Sequence, residues 1–387
     1  MAERSYFDWN ATTPLRPEAL AAFADAIGVM GNPSSVHAEG RAARRLMERA
    51  RQQVADLVGA MPADVIFTGS GTEANMLALT PAIETAKEKR PRDKLLMSAI
   101  EHSSVRAGGR FPRGAIGDIA VDADGRINLP ALADAVAKAD RPLLSLMLAN
   151  NETGVVQPVA EAAAIVHAAG GLLHVDAVQA AGRIACDMRA LGGDLLTLSA
   201  HKIGGPKGVG ALVRGRDDIH FTDPLIRGGG QERGARAGTE NVAGIAAFGA
   251  AAEAAQRQIA AEGAQMRALR DHLEAELSAI SPQAVIFGNT VERLPNTTLF
   301  ALEGAKAETA VIAFDLDGVA VSSGAACSSG KVQPSHVLAA MGISPGLLRG
   351  AVRVSLGWTT TKADVERFLS AWRKLASALS KGAEIAA

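Results

Sequence analysis

The stretch DLLTLSAHKIGGPKGVGALVRG, residues 194–215, carries the pattern that decides the fold. Its two apolar ends, DLLTLS and GVGALVRG, each predict a buried β-strand. Between them, Ser199, His201 and Lys202 precede a glycine-rich turn. A lysine desolvated at the end of a buried strand can hold a neutral, nucleophilic amine. The alternative is a loop lysine whose stem alone is buried, and Lys207, beyond the turn, is predicted to be solvated.

The same alternation continues on both sides of this stretch. Strand-length apolar runs VIFT, KLLMSA, PLLSLMLA and LLHVDAVQ alternate with helical patterns such as VAEAAAIVHAAGG, which predicts an α/β fold with a mainly parallel sheet. A long helical pattern starts near Gly244 and is followed by short strands and an amphipathic last helix. We therefore predict a large cofactor-binding domain over residues 1–250 and a smaller α+β domain over residues 251–387, which the N-terminal segment can join.

Composition narrows the class of protein. The 387 residues are 48% hydrophobic and 21% charged with a formal net charge of -1, which is typical of a soluble globular protein without a nucleic-acid or membrane partner. The first residues show no basic flank followed by an apolar run, so we expect no secretory signal. No apolar run approaches the ~20 residues that span a bilayer. Cys186 and Cys327 are too few for a disulfide framework or a cysteine-rich zinc site, so we expect a cytoplasmic protein without a metal.

A turn after the strand VIFT predicts an anion site. Ligands of open α/β sheets bind beyond the carboxyl ends of the strands. There, Gly71 and Thr72 open a helix whose first amides have no intrahelical acceptor, and these amides with the Thr72 hydroxyl can hold a phosphate. The alternative is a plain strand–helix turn with Thr72 as the N-cap. A Walker P-loop is excluded because no Gly-Lys-Ser/Thr follows.

Two further strand ends carry polar side chains. Asp176 ends LLHVD and precedes Gln179, and a buried acid there needs a partner such as a pyridinium nitrogen or an N-terminal helix amide. His102 follows KLLMSA, where it can lie on a cofactor ring, cap a helix or belong to the core. An anion site, an acid and the strand-end Lys202 together match what pyridoxal phosphate requires.

Cys327 lies in VSSGAACSSGK, residues 321–331, among small and polar residues that predict a flexible loop. A core cysteine normally has large apolar neighbours. Cys186, in RIACDMRAL, has the simpler interpretation of a buried small hydrophobe.

The combined motifs resemble those of the cysteine desulfurases of the NifS/IscS type, in the class V aminotransferase family of pyridoxal-phosphate enzymes. The resemblance runs from about Tyr6 to about Thr361. The motifs are DWNATTP, GNPSSVH, TGSGTEANMLAL, EHSSV, NNETGVVQP, HVDAVQ, SAHKIGGPKGVGAL, RAGTEN and SSGAACSSG. It implies a fold type I architecture, with a mostly parallel seven-stranded sheet flanked by helices and a smaller α+β C-terminal domain.

The resemblance implies a cofactor role for each matching residue. Lys202 would carry pyridoxal 5'-phosphate covalently, Asp176 would pair with its pyridinium nitrogen and Gln179 would bond its ring hydroxyl. His102 would stack on the ring and act as an acid–base group. The implied phosphate ligands are Gly71, Thr72, Ser199, His201 and Thr239, the last donated by the partner subunit of a homodimer.

It also implies substrate roles. The substrate would be oriented by Asn151 and Arg353, with Arg353 binding its carboxylate. Asn151 would also contact the cofactor. Cys327 would accept sulfur from L-cysteine as a persulfide, releasing L-alanine, and pass it to an acceptor or scaffold protein for iron–sulfur cluster assembly. The competing interpretations are a selenocysteine lyase, an aminotransferase, or a binding protein that kept the fold without activity.

Overall fold

Helices and strands alternate along the first half of the chain and are mixed more irregularly in the second. The computed structural model describes residues 4–324, 327–328, 331–332 and 334–386, with side chains described for 4–324 and 334–378. Its helices are α1 (Pro17–Ile27), α2 (Ala38–Leu57), α3 (Gly71–Ala78), α4 (Ser103–Arg106), α5 (Leu129–Val136), α6 (Val159–Ala168), α7 (Met188–Leu191), α8 (Val242–Ile280), α9 (Ala307–Leu316), α10 (His336–Ala340), α11 (Pro345–Arg349) and α12 (Lys362–Ala386). Its strands are β1 (Ser5–Tyr6), β2 (Val65–Thr68), β3 (Ile83–Glu84), β4 (Lys94–Ser98), β5 (Ile116–Ile119), β6 (Pro142–Met147), β7 (Leu172–Asp176), β8 (Leu195–Ser199), β9 (Gly210–Arg214), β10 (His220–Phe221), β11 (Val285–Ile286), β12 (Thr297–Ala301), β13 (Val319–Ala320), β14 (Ser322–Ser323), β15 (Cys327–Ser328), β16 (Lys331–Val332) and β17 (Val352–Ser355).

The central sheet has seven strands in the order β2-β9-β8-β7-β6-β4-β5. Within it β9 runs antiparallel to both of its neighbours, and the other strands are parallel to one another. Every residue of β6, β7 and β8 is buried, as expected for a parallel sheet covered on both faces. This confirms the predicted α/β architecture, and it places the opening stretch at the centre of the sheet as β8, a turn and β9.

Helices cover both faces of this sheet. On one face α2, α6 and the first turns of α8 contribute Val54, Val166 and Phe248 to a large apolar core. On the other face α3 packs through Leu77 against the remaining strand side chains. Apolar contacts therefore occupy both faces, and polar side chains that follow the strands collect at the carboxyl edge of the sheet.

A second, antiparallel sheet with the order β11-β12-β17-β14 forms the C-terminal part of the molecule. It packs against α9 and α12 through an aromatic cluster that includes Phe300, Phe314 and Trp372. β1 pairs with β13, which joins the N-terminal segment to this part.

The predicted domain boundary near residue 250 lies inside one continuous helix. Helix α8 is 39 residues long, and it buries Phe248 in the first core and Leu273 in the second. The domain division stays a prediction, with α8 as the element that the two parts share.

The segment that carries Cys327 contains a short strand pairing where the sequence predicts a loop. β15 pairs antiparallel with β16, and Cys327 is in register with Val332. The Cys327 side chain lies outside the described residues. The other cysteine, Cys186, is buried, as predicted, and burial raises the pKa of its thiol to about 12.

The described residues contain neither a membrane-spanning helix nor a metal-binding cluster. None of their helices is both long and apolar enough to cross a bilayer. The same residues contain no cluster of three or more histidine, cysteine, aspartate or glutamate side chains suited to a metal ion.

Candidate active site

A cavity of about 230 Å³ lies at the carboxyl edge of the central sheet. It is lined by residues that follow five different strands, β2, β4, β6, β7 and β8. Most of the residues predicted from the sequence meet here. They are Gly71, Thr72, His102, Asn151, Asp176, Gln179, Ser199, His201 and Lys202.

An outer cavity of about 600 Å³ adjoins the first and includes residues of the C-terminal part. It shares His102, Asn151 and Lys202 with the inner cavity and adds Arg353 from β17 and Asp8 from the N-terminal segment. The two parts of the molecule thus meet at one continuous space. Its inner end contains the Gly71 turn and the polar residues that follow the strands, and its outer end carries a guanidinium.

The turn between β2 and α3 is shaped for an anion. Ser70 is the N-cap of α3, because its hydroxyl accepts from the Glu73 amide at 3.1 Å, so the alternative that made Thr72 the cap is wrong. The amides of Gly71 and Thr72 therefore remain without an intrahelical acceptor. Gly210 on β9 allows the turn to lie this close, since a Cβ there would stand 2.5 Å from the Ser70 carbonyl carbon.

Lys202 ends a single 3-10 turn that follows β8 directly. Its Nζ donates to the carbonyl oxygens of Asn10 and Ala11, the latter at 2.8 Å. Burial, together with the positive charges of Arg183 and Arg353, lowers the pKa of Lys202 to about 7. A substantial fraction of the amine is thus neutral near pH 7, whereas Lys207 is exposed as predicted.

The buried Asp176 carboxylate at the end of β7 accepts two hydrogen bonds. Oδ1 accepts from the Val178 amide at 3.0 Å, and Oδ2 accepts from Asn75 Nδ2 at 2.9 Å. It forms no ion pair with any lysine, arginine or histidine of the described residues. The Oδ1 contact lies within a turn, and the next helix begins only at Met188, so the helix-capping alternative is wrong. The group still lacks the cation that a buried carboxylate needs.

His102 is both a helix cap and a cavity residue, so its capping interpretation holds, and its place on a cofactor ring stays a prediction. It is the N-cap of α4, where Nδ1 accepts from the Ser104 amide at 3.2 Å. The same nitrogen lies 2.8 Å from the Ser104 hydroxyl. Burial lowers the pKa of His102, so the imidazole is neutral at pH 7.

Arg183 is a buried residue that the sequence did not indicate. Its guanidinium donates to the Gln179 carbonyl at 2.9 Å, to Gln179 Oε1 and to the Trp9 carbonyl at 3.2 Å. These acceptors are neutral, and no carboxylate of the described residues pairs with it. Since a guanidinium only donates, it fixes the Gln179 amide with Nε2 turned to the Asn10 carbonyl, which Lys202 also contacts.

Replacing Arg183 with methionine is expected to raise the pKa of Lys202, because a nearby positive charge is removed. Only the neutral amine reacts with an aldehyde, so the rate at which the apoprotein binds pyridoxal phosphate covalently should rise with pH through a midpoint near 7 in the parent protein. In Arg183→Met that midpoint moves to higher pH. Arg41→Met, which removes an exposed arginine, serves as the control and should keep the parent midpoint; equal midpoints in the parent protein and Arg183→Met would contradict the assignment.

Arg353 is held at the wall of the outer cavity. Its NH2 group pairs with Asp8 Oδ1 at 2.8 Å, and NH1 donates to the Asn151 carbonyl at 2.8 Å. Its Nε is buried and has no acceptor. The guanidinium is therefore oriented by two partners and keeps donor capacity for a carboxylate in the cavity. Asp8 was not predicted from the sequence.

Thr239 lines neither of these cavities. It lies beside a smaller space of about 120 Å³ on the other side of the Gly69 turn, next to Arg236. Arg236 pairs with Glu73 at 2.8 Å, and Glu73 accepts from the Gly69 amide. Arg236 and Glu73 thus hold the Gly69 turn, whereas Thr239 is exposed, and its predicted contribution to the partner subunit's site stays a prediction.

Comparison with known proteins defines the class to which this fold and site belong. The family model for aminotransferase class V matches residues 5–368. A cysteine desulfurase of Cereibacter sphaeroides is 44% identical over 373 residues, covering 95% of this chain and 94% of that protein. An IscS-like cysteine desulfurase of Mycobacterium tuberculosis is 38% identical over 372 residues, covering 94% of each. The solved structure of a NifS-like protein from Rickettsia africae superposes with a TM-score of 0.86 at 34% identity, over 97% of this chain and all of that chain.

The chain belongs to the aminotransferase class V family of pyridoxal-phosphate enzymes. Within that family its relatives of about 40% identity, which align over nearly its whole length, place it among the cysteine desulfurases. The fold and the function expected from the sequence motifs are thereby confirmed.

Proposed function

We propose that this enzyme transfers the sulfur of L-cysteine to Cys327 and from there to an acceptor protein, with the residues of the inner cavity binding pyridoxal phosphate. One observation carries the assignment of the site. Lys202, whose amine has a pKa of about 7, opens onto the same cavity as an anion-binding turn and a buried acid.

The cavity residues fit this cofactor. When bound, pyridoxal phosphate supplies an aldehyde that links to amines and a ring that takes up the electron pair left by a departing Cα proton. The buried Asp176 carboxylate lacks a cation, which a pyridinium nitrogen would provide. The free amides of Gly71 and Thr72, with Ser199 and His201, would hold the phosphate.

Lys202 and Arg353 would act on different groups of the substrate, its Cα proton and its carboxylate. A neutral Lys202 amine can take a proton from the substrate Cα and return it later. Arg353, held by Asp8 and the Asn151 carbonyl, would bind the substrate carboxylate at the outer end of the cavity.

The sulfur step is a displacement at sulfur. The Cys327 thiolate attacks the sulfur of the substrate, an S–S bond forms, and the Cβ–S bond breaks with its electron pair left on carbon. A proton then completes L-alanine, so that one L-cysteine and one thiol give one L-alanine and one persulfide. An ordinary cysteine is only a few per cent thiolate near pH 7, so a group at the site has to accept its proton.

The partners follow from the same assignment. A homodimer would bring Thr239 of the partner subunit to the anion turn, which accounts for its place outside its own chain's cavity. A persulfide is useful only if it is passed on, and an iron–sulfur cluster scaffold in the cytoplasm is the acceptor that we infer. Incubation with L-[35S]cysteine should label Cys327 and then the scaffold. Label that never leaves this chain would count against the transfer step.

Replacing Arg353 with methionine is expected to raise the KM for L-cysteine by roughly 10²-fold, because one or two charge-assisted hydrogen bonds to the carboxylate are lost. The Asp8→Asn variant is the matched control. It loosens the guanidinium without removing it, so its KM should rise less. Steady-state kinetics at fixed cofactor saturation measure both, and an unchanged KM in Arg353→Met would remove Arg353 from the substrate site.

A further inference from the structure

Asn75 on α3 connects Asp176 and His102, two of the predicted functional residues of the cavity. Its side chain is 1% exposed and lines the inner cavity. Nδ2 donates to Asp176 Oδ2 at 2.9 Å and to the Ser104 hydroxyl at 2.9 Å, so both amide hydrogens are used. Oδ1 is buried and accepts no hydrogen bond from the described residues. An ionised carboxylate only accepts, which fixes the amide with its nitrogen toward Asp176.

The directions of the remaining hydrogen bonds follow from Asn75. The Ser104 hydroxyl oxygen accepts from Asn75, which leaves its own hydrogen for His102 Nδ1, 2.8 Å away. The Ser104 amide also donates to Nδ1, at 3.2 Å. Two donors point at one imidazole nitrogen, so Nδ1 holds a lone pair and the proton of the neutral ring is on Nε2.

We propose that Asn75 is a positioning residue that joins Asp176 to His102, holding the carboxylate directly and, through Ser104, keeping His102 neutral with its proton on Nε2. His102 then enters the reaction as a hydrogen-bond donor. The role of base falls to the Lys202 amine. This deepens the proposed function and rests on it where the cofactor is concerned, whereas the tautomer is a property of the protein alone.

Asn75 thus makes two connections, the first through Ser104 to His102 and the second directly to Asp176, which we call the first and second arms. Two substitutions affect these arms differently. Asn75→Ala frees the Ser104 hydroxyl to turn and accept from a protonated Nδ1, and it also leaves Asp176 with one donor fewer. Ser104→Ala removes the hydroxyl but keeps the bond between Asn75 and Asp176. Both variants should shift the titration midpoint of His102 upward, because each removes a donor that opposes the imidazolium form.

Long-range ¹H–¹⁵N NMR of the apoprotein, labelled at its eight histidines, tests the first arm. The His102 signals are identified by their loss in His102→Gln. In the parent protein we expect a protonated Nε2 and an unprotonated Nδ1 at neutral pH. The double variant Asn75→Ala/Ser104→Ala should titrate like Ser104→Ala, because Asn75 acts on His102 only through the hydroxyl that both of these variants lack.

The charged and titratable groups that face His102 from other elements stay unchanged in these variants. They are Asp176 at the end of β7, Lys202 after β8 and His336 at the start of α10. A shift in Ser104→Ala therefore reports the hydroxyl itself.

Cofactor affinity tests the second arm. Titration of the apoprotein with pyridoxal phosphate should show roughly tenfold weaker binding in Asn75→Ala and unchanged binding in Ser104→Ala, since a single hydrogen bond to a charged group is lost only in the former. A protein that takes up no cofactor would refute the proposed function without touching the NMR result. A protonated Nδ1 in the parent protein, or additive shifts in the double variant, would overturn the role of Asn75. If Asn75→Ala does not fold, an unmoved His102 midpoint in Ser104→Ala has the same consequence.

Discussion

Replacing Lys202 with alanine is expected to abolish the covalent attachment of pyridoxal phosphate and to lower kcat/KM for L-cysteine by at least about 10⁴-fold. In the proposed function one amine both links the cofactor and moves the Cα proton, so this single substitution removes both roles. Borohydride reduction followed by mass spectrometry of the peptide that contains residue 202 measures the first loss. Assay of L-alanine measures the second.

The chain provides its own control for this variant. Lys207 lies five positions further along the same loop but is exposed, so Lys207→Ala should keep both the attachment and the activity. Cofactor that remains reducible onto the chain in Lys202→Ala would show that another amine carries it. In that case the strand-end position of Lys202 would have a structural role only.

Replacing Cys327 with alanine is expected to lower sulfide release from L-cysteine, with dithiothreitol present, by at least about 10³-fold, as for the loss of an enzyme's nucleophile. The visible absorbance of the bound cofactor should persist, because Cys327 has no part in its attachment. This separation of cofactor binding from turnover distinguishes a desulfurase from an aminotransferase, which has no use for the thiol. An aminotransferase would also form a 2-oxo acid, whereas a desulfurase forms L-alanine.

The second cysteine serves as the matched control. Cys186 is buried and its thiol has a pKa of about 12, so it has almost no thiolate at neutral pH. Cys186→Ala should therefore leave sulfide release unchanged and cost about 1 kcal/mol of stability through the lost packing. Undiminished sulfide release by Cys327→Ala would contradict the persulfide step, and a parallel loss in Cys186→Ala would indicate a general effect on folding.

The residues that sequence patterns predicted share one property, which is that they follow strands. Asp176 ends an apolar run of strand length, and Lys202, His102 and Thr72 lie three or four positions after the ends of such runs. Parallel strands bring their carboxyl ends to one edge. Asn75 and Arg183 have no such signal. The first lies inside a short helix and the second in a turn, where polar residues are common.

The local sequence pattern also does not predict the hydrogen-bond partners of these residues. The hydrogen bonds from Asn75 to Asp176 and from Arg183 to the Gln179 side chain depend on distances between segments that only folding brings together. The same holds for the pairing of Asp8 with Arg353, which joins the two ends of the chain. Long-range contacts of this kind leave no periodic trace in the sequence.

The sequence by itself determined the class of fold and the cofactor, and it predicted the candidate catalytic groups, because strand-length apolar runs and the residues that follow them are local features. The tertiary structure decided the ionisation of those groups. The pKa of Lys202 falls to about 7 through burial and through two arginines of other segments. In our proposal the tautomer of His102 is determined by the two Ser104 donors on its own helix, with the Ser104 hydroxyl oriented by Asn75 on α3. Burial and charge act through space, and only the folded chain defines which groups are neighbours.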